Sequence, residues 1–459
     1  MAHSDPVREV RYEHAHPREP TQVNLIRQLT GTSGSLGQQM ARGTFWMGLG
    51  QAIIQLSGLL RTAVLARFLS PAQFGIMGIA LVVIKALESF TNTGFTQALI
   101  QRPGEIERFL PSVFIWNLGR GVLLSAALFL GGPFIAEFFR EPDATPVIQA
   151  AAAITMVRAA QNPKVAAVHR DLRYQQHFYW DASITAAGLV SAGIILLLRE
   201  DVWVLMLSMI VEEAVRTIGS YIIEPWRPSL RFSGKDIREL RLFGRWVGAS
   251  SMVIFLALQL DSIIVGRFLG PTALGLYNLA MRTSQLPATQ ISSVVSTVSL
   301  PSLSKAYEKP ARFRDLYLKI STTLWGITIL VGAVMVIFAE PIVRVFLGLQ
   351  WMDAVPALRI LAIAGLIRSI VTIGGRVFQA AGHPRYDFWM NLVRLVVLAV
   401  TIYPFTDRWG IEGAAFAVLL SIGAVLPMYF RFIWVITKLT PWQHVTYGFG
   451  RMAALVRRG

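Results

Sequence analysis

Long apolar runs separated by short polar loops make up most of the chain from residue 44 onward. A helix that crosses a bilayer needs about 20 consecutive, mainly apolar residues. Runs of about this length cover residues 44–68, 75–100, 111–138, 146–168, 178–199, 202–224, 243–267, 275–303, 315–347, 355–380, 387–405 and 411–437. The pattern therefore predicts an all-α polytopic membrane protein with about 12 transmembrane helices.

An internal repeat relates the first six spans to the last six. The segment Arg67-Phe68-Leu69-x-Pro71-x-x-x-Gly75 returns 200 residues later as Arg267-Phe268-Leu269-x-Pro271-x-x-x-Gly275. Around it, eleven of 35 aligned positions agree, against about three expected from apolar composition. The matches that follow, after small insertions, are Arg158 with Arg368 and Arg173-Tyr174 with Arg385-Tyr386. Two parallel six-helix copies are typical of secondary transporters, whose halves move about a site between them.

The domain organisation follows from the repeat and from the polar ends of the chain. We predict a disordered cytoplasmic tail at 1–40, an N-lobe at 41–225, an inter-lobe linker at 226–242, a C-lobe at 243–438 and a basic cytoplasmic tail at 439–459. Lys and Arg are concentrated in alternate loops, and such loops stay in the cytoplasm. Both termini of this multi-pass membrane protein are therefore expected to be cytoplasmic.

The overall charge is strongly positive, but its distribution argues against nucleic acid as a partner. The formal net charge is +16, while 54% of the residues are hydrophobic. The positive residues are spread over loops beside the spans, where they set topology and contact anionic headgroups. We predict a lipid bilayer and no nucleic acid among the partners.

Sequence motifs for nucleotide hydrolysis and for metal binding are missing. The Gly234-Lys235 pair is followed by Asp236 and not by Ser or Thr, as a phosphate-binding loop would require. The sequence contains no cysteine, and its seven histidines lie in tails or at span ends, so thiolate and zinc-type sites are excluded. We predict a transporter and not an enzyme, without a cofactor.

Ionisable residues inside the spans are the candidates for function, because charges within a bilayer are costly and usually face a cavity or a partner. The predicted substrate-binding cations are Arg61, Lys85, Arg282, Arg120, Arg158 and Arg368, and the acids that could bind a coupling H⁺ or Na⁺ are Glu88 and Asp261. Because Arg61 corresponds through the repeat to Asp261, we expect ion pairs between the lobes. The excess of cations favours an anionic substrate such as a phosphate or diphosphate, which arginine binds in bidentate fashion.

The first span has a polar stripe that should face the cleft between the lobes. Gln51, Gln55, Gly58, Arg61 and Thr62 recur at helical spacing on an otherwise apolar helix.

Structural roles for several of these charges stay open. Long cations near a span end can extend to the headgroups, and Glu88 can pair with Lys85 on the same helix. Glu212 and Arg216 are four residues apart and Glu213 adjoins Glu212, so an internal ion pair is expected there, and Arg394 is a further cation inside a span.

The region that begins the first copy resembles polysaccharide transporters of the Wzx type. It reads Ala66-Arg67-Phe68-Leu69-Ser70-Pro71-x-x-Phe74-Gly75, followed by Thr93-Gly94-Phe95-Thr96-Gln97-Ala98-Leu99-Ile100-Gln101-Arg102. The chain is similar in particular to the WzxC-like branch of the multidrug/oligosaccharidyl-lipid/polysaccharide flippase (MOP) superfamily, and the resemblance extends over about residues 40–438. It implies two six-helix lobes in a V-shaped, MATE-like bundle around a central, cationic cavity.

The resemblance also implies a function. The expected substrate is an undecaprenyl-diphosphate-linked oligosaccharide, which would be moved to the outer face of the bacterial inner membrane by ion-coupled alternating access. Its product would supply exopolysaccharide or O-antigen synthesis, with a polymerase and export machinery as partners. The alternatives are a multidrug or cation antiporter, a lipid II flippase and, from another class, a membrane polysaccharide polymerase or ligase.

Overall fold

The computed structural model of the chain describes residues 36–101, 106–171, 173–229, 231–307, 309–383 and 385–440, together with residues 443 and 447. Every regular element in these ranges is helical, which confirms the predicted all-α class. The predicted tails lie mostly outside the described residues, at 1–35 and beyond 440. Helix α1 begins at Leu36, within the segment predicted to be the N-terminal tail.

Six long helices form the first half of the chain. They are α1 (Leu36–Phe68), α2 (Pro71–Phe90), α3 (Leu110–Phe138), α4 (Ala144–Ala159), α5 (Tyr174–Leu196) and α6 (Trp203–Ile223). Two short helices, Phe95–Gln101 and Ala166–Arg170, lie in the connections between them. Each of the six overlaps one predicted span.

The second half contains α7 (Gly234–Ala306), α8 (Pro310–Ile337), α9 (Val355–Ala380), α10 (Arg385–Gly423) and α11 (Leu426–Thr437). Helix α7 is broken at Gly270, whose φ of 82° and ψ of −177° are open to glycine and strained for other residues. Helix α10 is broken at Trp409 and Gly410. A short helix, Ala339–Ile342, and two irregular turns connect α8 to α9.

The helices are long and apolar enough to cross a membrane repeatedly. Eight continuous stretches meet this description by length and composition among the described residues, and two of them contain the breaks in α7 and α10. Together with α4 and α6, they give the twelve spans that the sequence predicts. Large side chains such as Leu123, Leu130 and Phe134 are more than two-thirds exposed on the outer surface, as expected for side chains in contact with lipid. The chain is a multi-pass membrane protein.

The repeated motif forms the turn that starts α2. The Ser70 hydroxyl accepts a hydrogen bond from the Gln73 N–H at 3.4 Å, and the Gln73 side chain accepts one from the Ser70 N–H at 2.8 Å. This reciprocal capping box is followed by Pro71, whose fixed φ suits the first helical position. The Leu-Ser-Pro sequence therefore ends α1 and begins α2 within two residues.

The two copies of this motif pack against each other. A Cβ atom on Gly75 would lie 1.7 Å from the Pro271 carbonyl oxygen, and one on Gly275 would lie 1.9 Å from the Pro71 carbonyl oxygen. Buried Trp351 donates from its Nε1 to the Ala66 carbonyl at 2.7 Å, beside the same turn. The halves thus approach to backbone contact at the end of the bundle where the motif lies. We call this reciprocal contact the glycine contact.

The predicted division into lobes and linker stays a prediction. Within the segment 226–242, α7 already begins at Gly234. Its first part contacts the loop after α2, where the Asn92 Nδ2 donates to the Ser251 Oγ at 2.9 Å.

Candidate functional site

A cavity of about 710 Å³ lies between the two halves of the bundle. Its walls come from α1, α2 and α6 of the first half and from α7, α9 and α10 of the second. The charged residues that line it are Arg61, Lys85, Glu212, Asp261, Arg282, Arg368 and Arg394. Because five of these side chains are cations and two are carboxylates, the cavity has an excess of positive charge. This central cavity matches the position predicted for the site.

Helix α1 separates the central cavity from the lipid-facing surface. Four members of the predicted polar stripe, from Gln55 to Thr62, line the cavity, while Gln51 does not. On the opposite face, Leu56 and Leu60 are at least 60% exposed. The helix is therefore polar towards the cavity and apolar towards lipid.

Arg61 is paired within its own half. Its Nη1 donates to the Glu212 Oε1, and its Nη2 donates to the Ser208 Oγ at 2.6 Å. Both partners lie on α6, so the prediction that Arg61 pairs with Asp261 across the lobes is wrong. The cause is geometric, because the Arg61 side chain reaches Glu212 and Ser208 on α6, while Asp261 is bonded within the second half.

Asp261 is also held within its own half. Its carboxylate is buried and accepts hydrogen bonds from the Tyr277 hydroxyl and from the Ser262 N–H, both at 2.8 Å. Asp261 precedes the break at Gly270 and Tyr277 follows it, so this bond joins the two segments of α7. Arg368 and Arg394 lie within electrostatic range of the same carboxylate.

Lys85 and Arg282 are the exposed cations of the central cavity that have no carboxylate partner among the described residues. They come from opposite halves, and Lys85 is close enough to Arg282 to be repelled by it. Asp261 and Glu88 attract Lys85, and Glu212 attracts Arg282, from beyond ion-pair distance. The Arg282 Nη2 lies 3.4 Å from the Gly58 carbonyl oxygen on α1. A Cβ at Gly58 would come within 3.0 Å of this nitrogen, so the glycine allows the guanidinium to lie against α1.

Arg158, Glu88 and Arg120 are not among the residues that line the central cavity. The Arg158 guanidinium donates to the Glu88 Oε1 and, at 2.6 and 3.1 Å, to the two carboxylate oxygens of Glu213. The Arg120 Nη1 donates to the Thr91 Oγ1 at 3.0 Å. Glu88 thus bonds Arg158 and not Lys85, unlike the local pair that the sequence left open. We call Arg158, Glu88 and Glu213 the N-half ion cluster.

The internal ion pair expected on α6 forms between Arg216 and Glu213 and not between Arg216 and Glu212. Arg216 lies 3.4 Å from Glu213, while Glu212 bonds Arg61. Helix α6 therefore distributes its two adjacent carboxylates to different arginines.

The predicted set omits two charged residues of the lining, Arg394 and Glu212. Both are ionisable residues inside a span, the same signal that selected the others. Within the described part of the chain, no group of three or more His, Cys, Asp or Glu side chains is placed to hold a metal ion.

Comparison with known proteins relates the whole bundle to transporters. The lipid II flippase MurJ in its inward closed conformation superposes with a TM-score of 0.74, 13% sequence identity, and coverage of 89% of this chain and 91% of that one. An inward-facing multidrug resistance MATE family transporter of the MOP superfamily gives a TM-score of 0.64, 16% identity, and coverage of 91% and 98%. These structures share the fold with the chain, and the predicted polytopic bundle is confirmed.

Relatives by sequence are named for polysaccharide biosynthesis. The lipopolysaccharide biosynthesis protein WzxC of Escherichia coli (strain K12) is 24% identical over 388 residues, which cover 84% of this chain and 79% of that protein. The succinoglycan biosynthesis transport protein ExoT of Rhizobium meliloti (strain 1021) is 26% identical over 337 residues, covering 72% and 67%. The predicted resemblance to WzxC-like transporters is confirmed. A family model described as "Polysaccharide biosynthesis protein" matches residues 64–356, which is well over half of this chain. The chain therefore belongs to the polysaccharide biosynthesis protein family.

Proposed function

We propose that the chain is a flippase that moves undecaprenyl-diphosphate-linked oligosaccharides from the cytoplasmic to the outer face of the bacterial inner membrane. The observation that carries the proposal is the central cavity with Lys85 and Arg282, two cations from opposite halves without a carboxylate partner among the described residues. The names of the relatives, which refer to lipopolysaccharide and succinoglycan biosynthesis, support the same substrate class. The chain is thus a transporter and not an enzyme.

The diphosphate is the part of this substrate that the cavity charges fit. A guanidinium forms two parallel hydrogen bonds to phosphate oxygens, while an ammonium acts as a point charge. With Lys85 on α2 and Arg282 on α7, one diphosphate would bind both halves and relieve the repulsion between the two cations. The oligosaccharide would occupy the rest of the cavity, with the polyprenyl chain in lipid between the halves.

A cation antiporter is less compatible with the cavity. Such a transporter needs carboxylates free to receive its substrate, whereas Glu212 bonds Arg61 and Asp261 accepts two hydrogen bonds. Lipid II has the same diphosphate chemistry, so the choice between the two flippase substrates depends on the glycan. A polymerase or ligase is not favoured by any arrangement of catalytic groups in the described residues.

Removal of the unpaired cations tests the proposal. We expect Arg282→Ala to reduce polysaccharide export about tenfold and the Lys85→Ala/Arg282→Ala double variant to abolish it, since each charge-assisted hydrogen bond contributes about 1.5–3 kcal/mol. Export and accumulation of undecaprenyl-linked oligosaccharide would be measured in a deletion strain complemented with each variant. The matched control is Arg199→Ala, which removes an exposed arginine paired with Asp201 outside the cavity. Full export by the double variant at normal protein levels would refute the site.

Ion coupling belongs to the same proposal, and we place it at Asp261 rather than at Glu88. Glu88 is bonded to Arg158, whereas Asp261 lines the cavity and bridges the break in α7 through Tyr277. Binding of H⁺ or Na⁺ at Asp261 would disturb this bridge and so change the angle between the two segments of α7.

The coupling proposal has its own measurement. We expect Asp261→Asn in proteoliposomes to lose the dependence of transport on an imposed gradient, with H⁺ and Na⁺ gradients applied separately. Glu412→Gln, a carboxylate outside the cavity lining, is the control. A gradient response of Asp261→Asn equal to that of the unmodified protein would exclude Asp261 as the coupling site.

The proposed topology places both termini in the cytoplasm and the glycine contact at the outer side. The distribution of Lys and Arg over the loops supports this orientation. A polysaccharide polymerase and export machinery would receive the flipped product.

A further inference from the structure

A second, smaller cavity of about 300 Å³ lies inside the second half of the chain, between α9 and α10. Its lining includes Arg368 and Arg376 of α9, Asp387 and Arg394 of α10, and Ile422 after the break in α10. Arg368 and Arg394 also line the central cavity, so the two spaces adjoin at these arginines. We call the smaller space the side pocket.

The internal repeat shows how the side pocket differs from the first half. Arg368 corresponds to Arg158, whose charge is compensated by two carboxylates in the N-half ion cluster. At the repeat distance of 200, the residue that corresponds to Glu88 is Ala288. Arg368 instead donates from its Nη1 to the neutral Gln285 Oε1 at 2.7 Å. The first compensating carboxylate is therefore absent from the second half.

The second compensating carboxylate has been replaced by an apolar residue. Val204, Ser208 and Glu213 are buried on α6, and Gly413, Ala417 and Ile422 are buried with the same spacing on α10. In this register Ile422 takes the place of Glu213. Because Ile422 and Arg368 both line the side pocket, the pocket lies where this register places the ion pair of the first half.

Positive charge has been added as well. With Arg173-Tyr174 aligned to Arg385-Tyr386, Arg394 corresponds to Ala182. The Arg394 Nε is buried and has no hydrogen-bond partner among the described residues. A buried donor without a partner is costly, and an anion in the side pocket would supply one. Asp387 interacts with Arg376, and the carboxylate within electrostatic range of Arg368 and Arg394 is Asp261, which already accepts two hydrogen bonds.

We propose that the side pocket binds the carboxylate of an acidic sugar in the transported oligosaccharide, with Arg368 and Arg394 as its ligands. Two guanidinium groups are suited to a carboxylate, which each can bind through parallel hydrogen bonds. Thr372 and Asn391 add polar atoms to the lining, and Val371 and Met390 add apolar surface, a combination that fits a hydroxylated ring. The proposal rests on the proposed function for the origin of the sugar, and it makes the second half the part that selects the glycan.

Binding of soluble sugars to the purified, full-length protein in detergent tests the proposal. The probes are methyl β-D-glucuronide, the neutral methyl β-D-glucoside and inorganic phosphate, each followed by the change in melting temperature with concentration. We expect the glucuronide to raise the melting temperature and the glucoside to have no effect. A response to phosphate equal to that of the glucuronide would overturn the acidic-sugar assignment, as would no response to the glucuronide.

Two pairs of variants locate the binding. Ile422→Glu restores the carboxylate of the first half, which should pair with Arg368. Glucuronide binding should then weaken at least tenfold, about 1.4 kcal/mol. Ile422→Gln, of similar size and uncharged, should retain binding. Arg394→Gln should also lose binding, and Arg385→Gln, on the same helix outside the pocket, should keep it. Equal binding by Ile422→Glu and Ile422→Gln would overturn the proposal. Arg282→Ala should leave glucuronide binding unchanged, so failure of the diphosphate site and failure of the side pocket are distinguishable.

Discussion

Replacement of Arg158 by glutamine is expected to lower the free energy of unfolding by about 3 kcal/mol, because Glu88 then loses its bonded cation and Glu213 keeps only Arg216 at 3.4 Å. Glu213 is 5% exposed, and both of its carboxylate oxygens accept hydrogen bonds from Arg158. The Arg158 Nη1 donates to Glu88. The effect should appear as a lower melting temperature of the purified protein and a lower amount in the membrane.

The repeat provides a matched control for this substitution. Arg368→Gln removes the equivalent arginine of the second half, which bonds neutral Gln285, and should destabilise the protein much less. In a double-mutant cycle, Glu213→Gln should recover part of the stability lost in Arg158→Gln. Equal losses for Arg158→Gln and Arg368→Gln, or strictly additive effects in the cycle, would contradict the N-half ion cluster as a stabilising unit.

The second large effect is expected at the glycine contact. The Cβ of Gly75→Ala would lie 1.7 Å from the Pro271 carbonyl oxygen and 2.4 Å from its carbonyl carbon, so the backbones of the two halves must separate. If alternating access requires this end of the bundle to close, transport should fall at least tenfold, about 1.4 kcal/mol. Gly275→Ala should have the same effect, because its Cβ would meet the Pro71 carbonyl oxygen at 1.9 Å.

A glycine on α3 provides the control for this prediction, and the distance between two spin labels measures the separation of the halves at the glycine contact. Gly119→Ala on α3 has nothing within 4 Å of the added Cβ and should transport normally. Because the sequence contains no cysteine, spin labels on Arg67→Cys and Val345→Cys report only the distance across this end, where the Arg67 guanidinium donates to the Val345 carbonyl. A label distance unchanged by Gly75→Ala would mean that the contact does not hold the halves together.

The fold could be predicted from the sequence because apolar length and the repeat are properties of the chain itself. The breaks in α7 and α10 follow from Gly270 and Gly410, both at positive φ, and the turns there separate predicted spans. The start of α7 at Gly234 could not be predicted from the sequence, because it lies in a polar segment, where hydropathy does not distinguish a helix from a linker.

Part of the charged lining could be predicted, but the partners of its members could not. The cost of a charge in a bilayer selected Arg61, Lys85, Asp261, Arg282 and Arg368, which all line the central cavity. Pairing depends on how each helix is rotated against its neighbours, and the sequence gives spacing along a helix but not that rotation.

The N-half ion cluster and the side pocket together have a consequence for how such a duplicated chain diversifies. In the first copy the charges bond one another, so replacing a single one of them destabilises the fold. This copy is therefore constrained to keep its structure. In the other copy, Ala288 and Ile422 correspond to the two acids of the N-half ion cluster, so its arginines remain available to the transported substrate. Adaptation to a new polymer can then proceed by changes around residues 285, 376, 394 and 422 while the opposite bundle stays as it is.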